Sequence, residues 1–394
     1  MSSSNLVRVA FIEETVYGET PGAGNFKTAR FTSESLSGTP ETTESQQIRT
    51  DRLSSGQVVT GLTVQGDLNF ELAKEDAVDE FIESAMFSTF VTDTPVAVEL
   101  AIDVTAGTIT RSAGDYNVDV EVGDVLTLSG FTNSVNNIQV MVASIDSATV
   151  ISYIGPDTLV DETEAGASFV VADRIEIGIT KKSFSIEKSF LDLTNKAINY
   201  KGQIVSNMNL SVEYGSIVTG SFSFNGNSYD PVDQASDFLT NLRTIDPAAT
   251  SNSMNGSIDM PFIATQDGSV FTDATFCIQS LEISLNNNLT PQTCIGEAAP
   301  KDYTPGTAQI EISMSAYLAD ENWSYLQKKL TQDPVSFGFV IKNNDGFYGF
   351  YLPAVQLSFD DPSSAGQNQD VIMAMSGVAK VGANNEKSLR IYKG

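Results

Sequence analysis

The sequence of 394 residues has no histidine, only two cysteines, and 22 basic residues against 50 acidic ones. Histidine is the commonest general base and the commonest metal ligand in proteins, so its absence excludes every Ser-His or Cys-His catalytic pair. The two thiols, Cys277 and Cys294, are too few for a disulfide framework. We expect both cysteines to be free, and we expect no metal site.

The scarcity of basic residues gives a formal net charge of −28. Binding to nucleic acid depends on Lys and Arg side chains that displace counterions from the phosphates, so this charge argues against a DNA-binding role. The charge is equally compatible with plain solubility and with a channel wall to which DNA must not adhere.

Long apolar runs are missing as well. The apolar segment 6–12 is interrupted by Arg8 and followed by Glu13 and Glu14, so it lacks the uncharged core of about 7–15 residues that a secretory signal has. Nothing approaches the roughly 18 apolar residues that span a bilayer. We expect a protein without a membrane partner that is made in the cytoplasm and stays there or leaves inside a particle.

The motifs of common enzymes are also absent. The chain has no Gly-x-x-x-x-Gly-Lys-Ser/Thr phosphate loop, no Gly-x-Ser-x-Gly elbow and no Asp-rich calcium loop. Adjacent carboxylates such as Glu13-Glu14 and Asp360-Asp361 arise by chance among 50 acids, so they do not indicate a glycosidase. We predict no catalytic residue and no cofactor.

What the sequence does have is apolar alternation with a period of two, which is typical of half-buried β-strands. Leu68, Phe70 and Leu72 alternate with polar residues, and the same pattern recurs at 208–212, 281–285 and 310–314. Helical spacing is found at 75–86 and at 320–330. The side chains expected to pack these two helices against the sheets are Phe81, Ile82, Trp323 and Leu326.

The elements occur twice in the same order, which indicates an internal duplication. Segment 66–72 precedes the first helix and 308–314 the second; later, 183–188 matches 336–342 and 208–212 matches 355–359. Phe81 and Tyr325 lie 244 residues apart, whereas Ser183 and Ser336 lie 153 apart, so the first copy holds about 91 additional residues. We therefore predict two tandem units and an inserted β-rich domain in the first.

The predicted domain boundaries follow from these offsets. The first unit is discontinuous, the insert is a small β domain, and a polar stretch of connecting loops separates the units. The boundaries are 1–94 with 173–226 for the first unit, 95–172 for the insert, 227–272 for the connecting loops and 273–394 for the second unit.

Each unit has a long excursion, at 37–57 and at 286–307, where a hairpin would need only two to five loop residues. One interpretation is contact between subunits, in which Arg side chains meet carboxylates of a neighbouring acidic copy. The other is a flexible solvated loop. The residues predicted for the inter-subunit contact are Ile48, Arg49, Asp51, Arg52, Pro291, Pro300 and Pro305.

The first third of the chain resembles the major tail tube proteins of siphophages, the long-tailed bacteriophages, in the variant with a duplicated unit. The resemblance covers about 80 residues in order and is carried by the segments 8–21, 30–36, 45–52, 66–72 and 79–85. The second half matches the family in pattern more than in letters. The insert at 95–172 departs from the minimal family pattern.

The resemblance implies a mainly β fold in which each unit is a β-sandwich or half-barrel with one flanking α-helix. It also implies a structural virion protein, assembled in the bacterial host cytoplasm, that forms a homo-oligomer and joins other phage tail proteins. Members with a duplicated unit can form trimeric rings that mimic hexamers. Such rings stack into the tail tube, and DNA passes through the lumen without specific binding.

An alternative of a different class is a carbohydrate-binding or adhesin-like β-sandwich protein of a virion or a cell surface. Glycan binders expose Trp and Tyr side chains, whereas the single tryptophan here, Trp323, is predicted to lie on the packing face of a helix.

Overall fold

The computed structural model describes residues 3–51, 53–267, 270–274, 276–364 and 366–394. Strands account for 48% and helices for 9%, which confirms the prediction of a mainly β protein. Within the described residues, every helix is too short or too polar to span a lipid bilayer.

The first half of the chain contains strands on both sides of one helix and, further on, the strands that follow the insert. Its elements are β1 (Val7–Glu13), β2 (Phe26–Ala29), β3 (Ser33–Glu34), β4 (Ser37–Glu44), β5 (Gln57–Glu71) and α1 (Asp76–Met86), and later β14 (Asp173–Glu176), β15 (Phe184–Phe190), β16 (Ala197–Glu213), β17 (Thr219–Gly226), β18 (Ser228–Val232) and β19 (Ile245–Asp246).

Between α1 and β14, eight strands form a sheet of their own, which we call the inserted sheet. Its elements are β6 (Val96–Ala97), β7 (Leu100–Asp103), β8 (Thr108–Arg111), the short helix α2 (Tyr116–Asp119), β9 (Val125–Ser129), β10 (Gln139–Ile145), β11 (Val150–Ile154), β12 (Glu162–Glu164) and β13 (Ser168–Val171).

The second half again places strands on both sides of one helix. Its elements are β20 (Phe262–Asp267), β21 (Val270–Asp273), β22 (Ile278–Asn286), β23 (Thr290–Gln292), β24 (Asp302–Thr304), β25 (Gln309–Tyr317), α3 (Ser324–Thr331), β26 (Val335–Lys342), β27 (Phe347–Leu357), β28 (Ile372–Ala379) and β29 (Arg390–Lys393).

One antiparallel sheet, which we call the long sheet, runs through both halves in the order β4, β5, β17, β16, β22, β25, β28, β27. Alternation gives it one apolar and one polar face, because successive side chains of a strand point to opposite sides. The apolar face is the core of the protein, as shown by Leu68, Phe222, Leu210, Ile283 and Ile312, none of them more than 4% exposed.

A second layer covers the apolar face in each half. In the first half it consists of β2, β1, β15 and the amino-terminal part of β16, and in the second of β20, β26 and the amino-terminal part of β27. The 17-residue strand β16 belongs to both layers, and its pairing register with β17 shifts between Val205 and Asn207. Such irregularities bend a strand, so β16 can leave one layer and enter the other.

Helix α1 fills the space between the two layers of the first half. Phe81 is 1% exposed, and its ring centroid lies 4.6 Å from that of Phe11 and 5.2 Å from those of Phe184 and Phe224. Ile82 is buried beside it. The helix therefore packs through the two side chains that its spacing indicated.

Helix α3 differs from the expectation in one residue. Trp323 immediately precedes the helix and is 55% exposed, whereas Tyr325 is buried with its ring 5.8 Å from that of Phe276. Leu326 is partly buried against the core. The helix begins at Ser324, later than the spacing indicated, and this start directs Tyr325 rather than Trp323 toward the sheets.

Residues 227–272, expected as connecting loops, include paired strands. β18 extends the sheet of the first half by pairing with β16, and β20 and β21 extend that of the second half through β26. This expectation was wrong because polar residues also occupy edge strands, where only part of each side chain is covered.

The inserted sheet packs on the second half, although it interrupts the first. Val125 and Met141 share an apolar cluster with Val340, Phe347 and Tyr351. Within the same contact the hydroxyl of Tyr392 donates a 2.9 Å hydrogen bond to Asp124 Oδ1, and both residues are buried. The insert is therefore covalently part of the first half and packs on the second.

The two halves also share one detail of strand register. In the first, Gly220 lies opposite Phe70 on one side and Leu210 on the other; in the second, Gly377 lies opposite Ile312 and Leu357. Phe70 with Ile312, and Leu210 with Leu357, are residues that the sequence repeats align. A Cβ on Gly220 would lie 2.7 Å from the Asn209 carbonyl oxygen, and one on Gly377 2.9 Å from that of Gln356, so each glycine permits the same close approach.

Candidate assembly interface

The joint between the two halves lies within the long sheet. β16, from the first half, pairs with β22, from the second, over seven residue pairs from Asn207–Asn286 to Glu213–Ser280. Met208, Leu210 and Val212 on one side face Leu285, Ile283 and Leu281 on the other, and all six side chains are buried. The edge strand of the first half therefore pairs with an edge strand of the second in a head-to-tail arrangement.

The long sheet has two open ends. At one end β3 and β4 pair with β5, and no other strand of the described residues pairs with them. At the other end β27 pairs with β28 through Val355 to Leu357, and from Gln356 onward no strand of the described residues pairs with its other side. Unpaired edges recruit further strands, because their main-chain N–H and C=O groups lack partners.

The first excursion is a long hairpin, which we call the arm, formed by β4, the segment 45–56 and the beginning of β5. Its apolar side chains are unusually accessible: Ile48 is fully exposed, and Leu53, Val58 and Val59 are between 62% and 65% exposed. A lone chain gains nothing from exposing this apolar surface, which is typical of a contact with another protein.

The polar residues predicted for the arm pair with each other. Arg49 Nε lies 2.9 Å from Asp51 Oδ1, and the hydrogen bond from the guanidinium lowers the pKa of the Asp51 carboxyl group. Both side chains are on the surface, so the pair leaves room for a further carboxylate or cation from a neighbour. Arg52 lies outside the described residues.

The second excursion folds back on the first half instead of projecting. The Leu62 amide donates to the Ala298 carbonyl oxygen over 2.7 Å, Lys181 Nζ lies 2.7 Å from Asp302 Oδ1, and the Tyr303 hydroxyl donates to the Gly226 carbonyl oxygen. The predicted contact residues Pro291 and Pro305 are exposed, and Pro300 is half-buried. Within one chain, an excursion of one unit thus crosses onto the preceding unit.

The polar face of the long sheet is grooved and rich in Ser and Asn. Its grooves are lined by residues such as Ser211, Ser280, Ser313 and Ser376. In the paired strands of this sheet, all of which lie within the described residues, the charged side chains on this face are carboxylates. They include Asp67, Glu71, Glu213, Glu282 and Glu311.

Sequence reasoning identified the arm but not the open ends or the acids of the polar face. Alternation predicted two faces for each strand, yet only the pairing order reveals that the polar faces of the eight strands of the long sheet join into one surface. Further copies would contact the arm and the two ends of the long sheet. A molecule lying in the groove would contact the polar face.

Comparison with known proteins gives a family. The family model described as phage tail tube protein matches residues 4–379. A search of curated proteins finds no similar sequence.

Proposed function

The chain belongs to the phage tail tube protein family, and we propose from this premise that three copies close head to tail into a ring of six similar units and that such rings stack into the tube. The family is structural and not enzymatic, so the chain is a structural component of the phage tail within the virion. Ring closure, its symmetry and the passage of DNA are the proposed part.

The observation that carries the proposal is the joint between β16 and β22. It joins two units of one chain edge to edge, in one direction, and leaves the opposite edges open at both ends of the long sheet. A head-to-tail contact closes into a ring when its rotation divides a full turn evenly. Because one chain supplies two such units, three chains supply six.

The proposal depends on the division of the chain into two units and an insert. We retain 1–94 with 173–226 as the first unit, 95–172 as the insert and 273–394 as the core of the second, to which β20 and β21 are added. The equivalent surroundings of Gly220 and Gly377 support this division.

In a closed ring of this kind, we assign the polar face of the long sheet to the lumen. Its carboxylates, including Glu213, Glu282 and Glu311, would repel the phosphates of DNA. Small Ser and Asn side chains give the surface hydrogen-bonding groups without the cations that hold phosphate. DNA would therefore slide past this wall without being retained.

The arm would make a contact beyond the sheet. The second excursion crosses onto the preceding unit inside one chain, and by the same arrangement the arm of the first unit would cross onto a neighbouring chain or ring. Ile48, Leu53 and Val58 would be buried there, at about 25 cal/mol for each Å² of apolar surface removed from water.

Negative-stain imaging of the purified chain, combined with a glycan array, tests the proposal against the carbohydrate-binding alternative. Rings or tubes without glycan binding support it; dispersed monomers that bind a glycan contradict it. Trp323 is exposed, so the expectation of a covered tryptophan no longer argues against glycan binding. The family match now decides between the two functions.

A further inference from the structure

We infer that the contact between chains repeats the register of the internal joint: segment 356–359 of one copy pairs antiparallel with segment 30–33 of the next, Gln356 lies opposite Ser33, and Lys329 and Gln332 occupy this edge until the second copy arrives. The inference rests on the proposed function, since it defines the surface at which the ring closes.

The register follows from two equivalences. Asn209 and Gln356 are equivalent, because their carbonyl oxygens approach Gly220 and Gly377 in the same way. Ser33 and Ser284 are equivalent, because Ser33 lies opposite Asn69 on β5 and Ser284 lies opposite Glu311 on β25, and the repeats align Asn69 with Glu311.

The internal joint places Asn209 opposite Ser284. Replacing each residue by its equivalent places Gln356 opposite Ser33. The next pair in antiparallel order is Leu357 with Thr32, whereas Val355 lies between Val335 and Ala379 of its own chain and stays outside the contact. Thr32 and Ser33 are exposed in the lone chain, and the Thr32 amide, which donates there to the Asn69 carbonyl oxygen, changes partner when the contact forms.

The receiving edge is at present occupied by side chains of the same chain. The Ser358 amide donates to the Ser376 carbonyl oxygen of β28, so the main-chain groups of Leu357 and Phe359 point the other way, toward the open edge. There Gln332 Nε2 donates to the Leu357 carbonyl oxygen over 3.1 Å, and Lys329 Nζ donates to the Phe359 carbonyl oxygen over 3.0 Å.

The corresponding residues of the first half, Leu210 and Val212, face β22 instead. Gln332 and Lys329 therefore occupy the position that β22 occupies in the internal joint. Side chains that cover an open edge prevent premature pairing, since they hold the carbonyl groups that a strand would use.

The charged groups at this edge are consistent with the replacement of Lys329 by a basic residue of the incoming copy. Lys329 Nζ lies 2.5 Å from Asp361 Oδ1 and 4.7 Å from the centre of the Phe359 ring. In the inferred register, Arg30 of the incoming copy lies opposite Phe359 and beside Asp360. Its guanidinium, which donates to the Ser251 carbonyl oxygen in the lone chain, would exchange that partner for this acidic and aromatic edge, since arginine pairs with both carboxylates and aromatic faces.

Disulfide trapping tests the register. In a Cys277→Ser, Cys294→Ser background, Ser33→Cys with Gln356→Cys is expected to give covalent dimers and trimers on oxidation of assembled rings. Ser35→Cys with Gln356→Cys is the off-register control, because diagonal neighbours across a sheet lie about 7–8 Å apart and exceed disulfide reach. Asn209→Cys with Ser284→Cys should close within one chain.

Electron microscopy of the same samples separates the possible failures. Rings that link through the control pair as readily as through Ser33 and Gln356 overturn the register and leave the proposed function standing. If the background chain with its native sheet edges forms neither rings nor tubes, the proposed function fails and the inferred pairing fails with it.

The role of the covering side chains has its own test. Lys329→Ala with Gln332→Ala is expected to shorten the lag before ring formation severalfold, measured by light scattering, whereas Lys328→Ala on the same helix leaves it within twofold. An unchanged or longer lag in the double variant overturns this part. Lys329→Met, which keeps a stem on Phe359, gives the same comparison should the double variant not fold.

Discussion

The phenol of Tyr348 donates a 2.7 Å hydrogen bond to Oδ1 of Asp79 and so connects β27 of the second half with α1 of the first. The Asp79 carboxylate also receives Lys74 and Lys393, at 3.0 and 2.9 Å from Oδ2. The site is buried, so loss of the Tyr348 hydroxyl leaves Oδ1 with only the longer 3.3 Å contact from Lys74 Nζ, where water reaches poorly.

Tyr348→Phe is therefore expected to lower the free energy of unfolding by about 1–3 kcal/mol, the usual cost of an unsatisfied buried partner of a charged group. Urea unfolding of the unassembled chain measures it. Tyr214→Phe, at a phenol that is 77% exposed, should change stability by less than about 0.5 kcal/mol. Equal effects of the two substitutions would contradict the assignment.

The two equivalent glycines predict equal sensitivity. Gly220→Ala and Gly377→Ala each place a Cβ less than 3 Å from a carbonyl oxygen of the neighbouring strand, so each should destabilise the chain by about 1–3 kcal/mol. Gly22→Ala, where a Cβ meets nothing within 4 Å, should be neutral or slightly stabilising. Thermal unfolding of the three variants compares them, and tolerance at only one of the paired glycines would argue against equivalent units.

A buried carboxyl at the start of α1 predicts a pH dependence. Glu75 is 6% exposed, and burial raises the pKa of its carboxyl group to about 7 from the ordinary 4.5. The folded state therefore holds the proton more tightly than the unfolded state. This contribution to stability is fully present below about pH 4.5 and is lost as pH rises through 7.

Glu75→Gln, which mimics the protonated form, should be more stable than the parent chain at pH 8 by about 1–3 kcal/mol, and the difference should shrink toward pH 5. Urea unfolding at both pH values gives the comparison. Glu321→Gln, at an exposed carboxylate, should show no such trend. A Glu75→Gln advantage that is the same at both pH values would be inconsistent with titration of this group.

Shortening the arm is expected to impair assembly without impairing folding. Glu44 pairs with Gln57, so an Asn-Gly turn can replace segment 45–56 and still close the hairpin. We expect the unfolding temperature of the lone chain to change by no more than a few degrees, because the described side chains of 46–56 are exposed. Tube yield measured by sedimentation should fall at least tenfold, and full yield would exclude the arm from assembly contacts.

Much of the fold could be predicted from alternation and repetition. The pattern around Leu68, Phe70 and Leu72 indicated a half-buried strand, whereas Gly220 and Gly377 lie outside the aligned repeats, and their shared register is evident only from the strand pairing. Trp323 could not be placed, because spacing alone does not fix where a short helix begins. Nor could the covering contacts of Lys329 and Gln332 be foreseen, since they join a helix end to a strand that follows 25 or more residues later.

The number of chains in an isolated ring tests the central claim most directly. Native mass spectrometry of rings, combined with class averages viewed along the ring axis, should give three chains and six similar lobes. A ring of six chains, or a stable population of single chains that closes its own sheet edges at high concentration, would contradict the account.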